Sequence, residues 1–421
     1  MSPEQRWEHR VARNVWRGVP TRNTLDRATA TLPRLLYQRL DDMGLDLVML
    51  YPTLGLPLAH IEDEELRRGA SRAFNRFYAD VYREFSDRIV TAAIIPMHTP
   101  EEGVEELDYA VKECGHKVVM LPSYVRRPVA AVTKRLPEAA SSAFWLDTLG
   151  LDSAYDYDPF WRRCIELKAV PTFHSLGIGW GSRTSVSNFV YNRIGHFAAA
   201  GEAVCKSLFF GGVTRRFPAL KFAFLECGVG WACNLYSDLV SHWEKRNLEA
   251  LEYTKPANLD RELLLELYGK YGGKMTEGKI DWVRNNLGLF EVDQEDPATL
   301  DEWAACEIER AEDIRDLFLP YFYFGCEADD PMSGWAFNRK LNPFGGRLNA
   351  LFSSDIGHWD VADMTEVVAE AHELVERELI TDDDFRDFVF ANPVSFYAGV
   401  NPYFFEGTVV EAEAQKLLSG V

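Results

Sequence analysis

Asn349-Ala350-Leu351-Phe352-Ser353-Ser354-Asp355-Ile356-Gly357-His358-Trp359-Asp360 is the stretch on which the reading of this chain turns. An apolar run (Leu348, Ala350, Leu351, Phe352) stops at two serines and then presents Asp355, His358 and Asp360. A buried strand has this form when it delivers a carboxylate and an imidazole to the rim of a barrel: the apolar run anchors the backbone and the polar tip is left for chemistry. A carboxylate at such a tip can ligate a divalent metal or take a proton from water bound to it. The same spacing also fits a strand end whose Asp355 only caps the next helix.

Two further stretches share the design. Ala169-Val170-Pro171-Thr172-Phe173 leads into His174, and Leu220-Lys221-Phe222-Ala223-Phe224-Leu225 leads into Glu226 before a glycine-rich turn. Three apolar runs ending in His, Glu and Asp point to one polar cluster at one end of a sheet.

Outward from these runs, strands and helices alternate. Short apolar strands are expected near residues 46, 89, 117, 169, 220, 318 and 348. Leu66, Ala70, Phe74, Phe77 and Val81 recur at helical spacing within 63–85, and Thr99-Pro100-Glu101-Glu102 reads as a capping box starting a helix to about Cys114. Residues 126–157 read as a long loop, Asp158-Pro159 as a helix start, and 196–217 as a helix packed by small residues. Strand and helix in this rhythm mean parallel pairing with right-handed crossovers. The expected fold class is therefore α/β, a (β/α)8 TIM-barrel-like domain over residues 1–421 with one strand missing from the count before residue 46. No strand is expected within about 232–316, which reads as a helical insertion after the sixth barrel strand, serving as a lid or a subunit contact; the assembly considered is a homodimer.

Bulk composition narrows the partners. The chain has 421 residues, 47% of them hydrophobic, and 45 basic against 65 acidic side chains give a formal charge of −20. That charge argues against nucleic acid or an anionic membrane, both of which need a positive surface. No run of apolar residues is long enough to span a bilayer. Residues 1–22 are charged, with no apolar signal segment, and the seven cysteines are scattered without a CxxC pair. These features suggest a cytoplasmic protein with buried thiols.

The pattern resembles a known family. His174 and the Ser354-Asp355-Ile356-Gly357-His358-Trp359-Asp360 stretch look like the amidohydrolase superfamily, in its amidohydrolase-2 branch, similar to aminocarboxymuconate-semialdehyde decarboxylase-like metal-dependent hydrolases. Tyr51-Pro52-Thr53, Ile95-Pro96-Met97, Gly211 to Pro218 and Phe224 to Trp231 fit the same branch in order and spacing. The resemblance implies a divalent metal, Zn2+ first and Mn2+ second, at the carboxyl end of the barrel. Its ligands would be a His-x-His pair on the first strand, a His on the fifth and an Asp on the eighth; His174 and Asp355 match the last two. No His-x-His occurs in this chain. A start beyond the true first strand is weighed against a variant that binds metal weakly or not at all, and the strand arithmetic favours the former.

The roles expected are as follows. His174 and Asp355 serve as metal ligands and catalytic groups, and His358 lines the pocket, steadies Asp355 or simply caps a helix. Glu226 stands where the family often has histidine, and as a buried carboxylate it must be paired or ligate something. His196, Glu327 and Arg126 are candidate substrate contacts: His196 as a neutral ring at a helix start, with packing against Tyr191 or Phe197 as the plain alternative, and Arg126 with Arg127 as partners for a substrate carboxylate. Trp180, Tyr191, Trp231 and Trp359 suit an aromatic substrate, though core packing explains them equally. His98 lies at the correct barrel end, whereas His60, His116, His242 and His372 read as structural. The expected activity is metal-assisted hydrolysis, non-oxidative decarboxylation or hydrolytic carbon–carbon cleavage of a small organic acid. The reading from another class is a metal-free, non-catalytic barrel that binds a ligand or a partner subunit.

Overall fold

The computed structural model describes residues 1–13, 15, 21–175, 184–286 and 299–420. All seven expected strands are present and parallel: β1 (Val48–Leu50), β2 (Ile89–Ile94), β3 (Val118–Leu121), β6 (Val170–Phe173), β7 (Phe222–Phe224), β8 (Phe322–Glu327) and β9 (Asn349–Ser353). They form one sheet in the order β1-β2-β3-β6-β7-β8-β9. The sheet is a barrel wall of seven strands with β1 and β9 at its edges. β4 (Val125–Pro128) and β5 (Phe144–Asp147) make a separate antiparallel hairpin within what reads from sequence as a loop. What holds that hairpin is not apolar periodicity but an ion pair, Arg127 Nε to the fully buried Asp147 at 2.9 Å.

Register explains why the strand ends converge. Phe173 pairs with Phe224, and Phe224 with Phe324, so three rings stand side by side on adjacent strands. Their centroids are 5.6 Å apart for Phe173–Phe224 and 5.9 Å for Phe224–Phe324, with nearly parallel planes. This aromatic row locks the register, because a one-residue slip would turn each ring to the opposite face. Just beyond it the chain delivers His174 from β6, Glu226 from β7 and Glu327 from β8. Gly325 is required there: a Cβ would stand 2.9 Å from Ser353 Oγ and 3.2 Å from the Leu225 Cα as the β7 end passes over it.

No strand lies before residue 46 among the described residues; helices α1 (Thr24–Thr29) and α2 (Pro33–Arg39) stand there instead. Asn23 caps α1 and Pro33 starts α2, turn-and-cap chemistry that favours helix over strand. Leu36, Leu40 and Met43 form a second core with Tyr82, Phe85, Ile89 and Met364, so the two helices span from the β1–β2 side of the sheet to the segment after β9. Asp26 clamps this seam, accepting from Arg39 Nη1 at 2.7 Å and from the Met364 backbone N–H at 2.8 Å.

α3 (Glu64–Tyr82) and α4 (Pro100–Lys112) cover the sheet on the β2 side. Thr99 caps α4 by accepting from the Glu102 N–H, but the other half of the expected capping box is missing. The Glu102 carboxylate pairs instead with Arg67 at 2.7 and 3.0 Å, because a buried carboxylate gains more from a guanidinium than from a backbone N–H. α5 (Asp158–Leu167) precedes β6, and the short α6 (Phe189–Arg193) and α7 (His196–Phe210) precede β7. α7 breaks at Gly211-Gly212, where Gly212 adopts φ 67°, and one further turn follows at Val213–Arg216. Between β7 and β8 the described residues hold helices and no strand. No helix among the described residues is long and apolar enough to cross a membrane.

Candidate functional site

Two carboxylates sit on left-handed backbone just past their strands: Glu226 at φ 55° and Asp355 at φ 47°. Such a conformation costs a non-glycine residue about 1 kcal/mol or more, and it clusters where side chains must be aimed. Here it turns both carboxylates onto the carboxyl ends of the strands.

Glu226 is held from two sides. Its Oε2 lies 3.2 Å from His174 Nε2, and its Oε1 accepts from Arg193 Nη2 at 2.6 Å. Burial opposes ionisation of Glu226, yet the His174 hydrogen bond and the Arg193 guanidinium keep its carboxyl below the usual range. Arg193 Nη2 also reaches Asp360 Oδ2 at 3.1 Å, and its Nη1 stands 3.3 Å from His196 Nε2. A guanidinium only donates, so His196 Nε2 accepts and the ring is neutral. Burial, then the Arg193 charge, lowers the His196 pKa to about 4. Burial and the arginine both favour the neutral ring, which packs on Phe197 at 3.8 Å between centroids.

Asp355 is gripped by His358. His358 Nδ1 meets Asp355 Oδ1 at 2.5 Å, and its Nε2 meets Thr53 Oγ1 at 2.9 Å. The hydrogen bond to Asp355 raises the His358 pKa. Burial, with Glu226 and Asp360 close by, raises that of Asp355. Asp355 Oδ2 and His174 Nδ1 are buried and have no hydrogen-bond partner. Glu327 is pushed up to about 7 by burial and by the charges of Asp355, Glu226 and Asp360.

Among the described residues, two groups have donor atoms within 4.8 Å of one another: Glu226, Asp355 and His358, and Glu327, Asp355 and Asp360. Asp355 belongs to both. An orphaned, buried carboxylate oxygen beside the carboxylates of Glu226, Glu327 and Asp360 is a position that a divalent cation fits. The donor set is mostly oxygen, which suits Mn2+ or Mg2+ better than Zn2+. His174 stands outside both groups and touches the cluster through Glu226.

The remaining candidates divide. Arg126 is exposed on β4 and lies over the Phe144 ring at 4.8 Å. Arg127 is tied to Asp147, to the His98 carbonyl and to Tyr157 Oη. Trp231 packs edge-on against Phe224 and Phe324, which is core packing. Tyr191 and Trp359 are exposed, and Trp180 lies outside the described residues.

Sequence reasoning gave no role to Arg193, quoted Thr53 only as part of a matching block, and read His60 as structural. No local pattern marks Arg193; the only signal was that a buried Glu226 demands a cation. His60 reaches the strand ends, with Nε2 3.3 Å from Ser175 Oγ. Burial and then Arg126 lower its pKa to about 4, and His98 is lowered to about 3 by burial, Arg67 and Arg127. His116 is structural as expected, bonded to Thr91 and Asn75.

An amidohydrolase family model matches residues 26–255, a span that includes His174, Arg193 and Glu226 and stops short of Asp355. No curated protein matches the chain. Among solved structures it is similar to a dihydroxybenzoic acid decarboxylase from Polaromonas sp. JS666 with bound manganese and the inhibitor 2-nitroresorcinol, at TM-score 0.52 and 16% identity over 86% of this chain and 84% of that one. It is also similar to an amidohydrolase from Mycobacterium avium subsp. paratuberculosis K-10, at 0.52 and 18% over 88% and 76%. The apo form of Metarhizium anisopliae IDCase matches at 0.51 and 11% over 87% and 79%. At these identities the structures share a fold. With the family match spanning more than half of its length, the chain belongs to the amidohydrolase family.

Proposed function

We propose that the protein is a metal-dependent enzyme that decarboxylates, or hydrolyses, a small organic acid. The observation that carries this reading is Asp355 Oδ2, a buried carboxylate oxygen without a partner in a crowded acidic cluster. Asp355 would anchor the cation, with Glu226, Glu327 and Asp360 as the surrounding carboxylates. His358 would fix Asp355, and His174 would fix Glu226, as histidine–carboxylate pairs do around metals. A divalent cation there supplies positive charge for the substrate's acid group and for negative charge that develops during reaction.

The chain's own residues manage the proton. His358 Nδ1 and Asp355 Oδ1 share one across 2.5 Å. In decarboxylation the carboxylate leaves as CO2, and this pair delivers the proton that replaces it on carbon. In hydrolysis the same pair takes a proton from attacking water. We put decarboxylation ahead of hydrolysis on an analogy of fold with the Polaromonas enzyme and its bound manganese, an analogy that carries no residue roles.

The test is to load the protein with Mn2+ and follow CO2 release from a panel of hydroxylated benzoates, beside Asp355→Asn. Release that requires both Mn2+ and Asp355 supports the reading. Failure of the protein to bind Mn2+ or Zn2+ at all would leave the metal-free ligand-binding barrel standing.

A further inference from the structure

One guanidinium joins the two candidate metal groups. Arg193 Nη2 lies 2.6 Å from Glu226 Oε1 and 3.1 Å from Asp360 Oδ2. Glu226 belongs to the group with Asp355 and His358, whereas Asp360 belongs to the group with Glu327 and Asp355. A cation drawing three donors from either group needs a carboxylate that Arg193 already holds.

The arginine is not a loose surface side chain. It is 18% exposed, and Glu226 is 7% exposed, so their pair sits where water screens little. The guanidinium also lies over the Phe197 ring at 4.9 Å and against His196 Nε2 at 3.3 Å. These contacts preorganise its planar fork toward the cluster. Nor is the charge superfluous without metal: four carboxylates meet here, and the histidines that touch them, His174 on Glu226 and His358 on Asp355, reach neither Glu327 nor Asp360.

Resting on the metal reading above, we propose that Arg193 is a built-in competitor for the metal: its ion pairs to Glu226 and Asp360 and a cation's bonds to the same carboxylates exclude one another. The arginine holds the cluster together while metal is absent, and loading must displace it. Metal affinity is then set by the difference between two binding states of the same carboxylates, not by the donor set alone.

The experiment uses the full chain, stripped of metal and titrated with Mn2+, with free Mn2+ read from its electron paramagnetic resonance signal. Wild type is compared with Arg193→Met, which removes the charge, and Arg193→Lys, which keeps the charge but loses the planar fork. Relief of direct competition should tighten Mn2+ binding about tenfold in Arg193→Met, the worth of a charge-assisted hydrogen bond to a buried carboxylate. Arg193→Lys should be tightened by a smaller factor. Unchanged or weaker binding in both variants overturns the proposal. A lysine variant equal to wild type beside a tightened Arg193→Met also overturns it, because only a diffuse charge effect would remain. If no form binds Mn2+ or, in a parallel titration, Zn2+, the metal reading itself falls and takes this one with it, whereas equal binding by all three removes only the competitor. Should Arg193→Met fail to fold, Arg193→Gln provides the neutral arm.

Discussion

His358 Nδ1 stands 2.5 Å from Asp355 Oδ1, so three residues of separation bring an imidazole back onto the carboxylate just past β9. Gly357, at φ 103°, makes the tight return between them. The pairing leaves Asp355 with one committed oxygen and one uncommitted.

Asp355→Asn should abolish tight Mn2+ binding without unfolding the protein. Asparagine tolerates the left-handed backbone at this position better than most residues, so the turn survives while the anionic oxygen is lost. The check is a metal titration beside a thermal melt. An unchanged Mn2+ affinity would remove Asp355 from the metal site.

Thr53→Val tests the outer support of the same pair. Losing the Oγ1 contact frees His358 Nε2 and lets the ring rotate, which should cost roughly tenfold in metal affinity or turnover. Little change in melting temperature is expected. A wild-type metal affinity in this variant would mean that His358 is held by Asp355 alone.

Acid should destabilise the fold through buried histidines. His60, His98 and His196 fall from an ordinary 6.5 to about 4, 3 and 4, so the folded state binds fewer protons than the unfolded chain below pH 6.5. Their contribution is whole above 6.5 and is lost progressively as pH falls toward 3 to 4. Glu327 acts with the opposite sign: raised to about 7, it favours the folded state below its unfolded value of 4.5 and loses that contribution as pH rises toward 7. Asp355, raised to about 6, and His358, also raised, act with Glu327, so the histidine contribution is read from the change that removing one of the three makes to the slope. Urea unfolding at several pH values reads the slope, which His98→Gln should flatten; an unaltered slope would mean that His98 titrates normally.

Asp26→Ala tests the seam between the N-terminal helices and the segment after β9. The change removes the buried carboxylate partner of Arg39, whose side chain is 10% exposed and keeps only Thr29 Oγ1 and the exposed Asp42, and orphans the Met364 N–H. A loss of about 3 kcal/mol is expected from breaking one partner of a buried pair, measured by denaturant unfolding. A loss under about 1 kcal/mol would show that the apolar contacts of Leu36, Leu40 and Met364 hold the seam without it.

Periodicity along the chain determined the seven strands, the main helices and the end of the sheet where His174, Glu226 and Asp355 gather. Strand and helix patterns are local, and an apolar run that stops at a polar residue needs nothing distant to be read. Only the tertiary structure decided the partners. Arg193 reaches Glu226 across 33 positions and Asp360 across 167, and Thr53 reaches His358 across 305. No one-dimensional pattern encodes such pairings, because they follow from register and from helix placement. The region before residue 46 was also decided in three dimensions: capped helices packed on Met364 stand where barrel arithmetic called for a strand. Burial completed the site, since the same carboxylates and imidazoles would titrate normally in water, and enclosure by the sheet ends moved Glu327 up and His196 down.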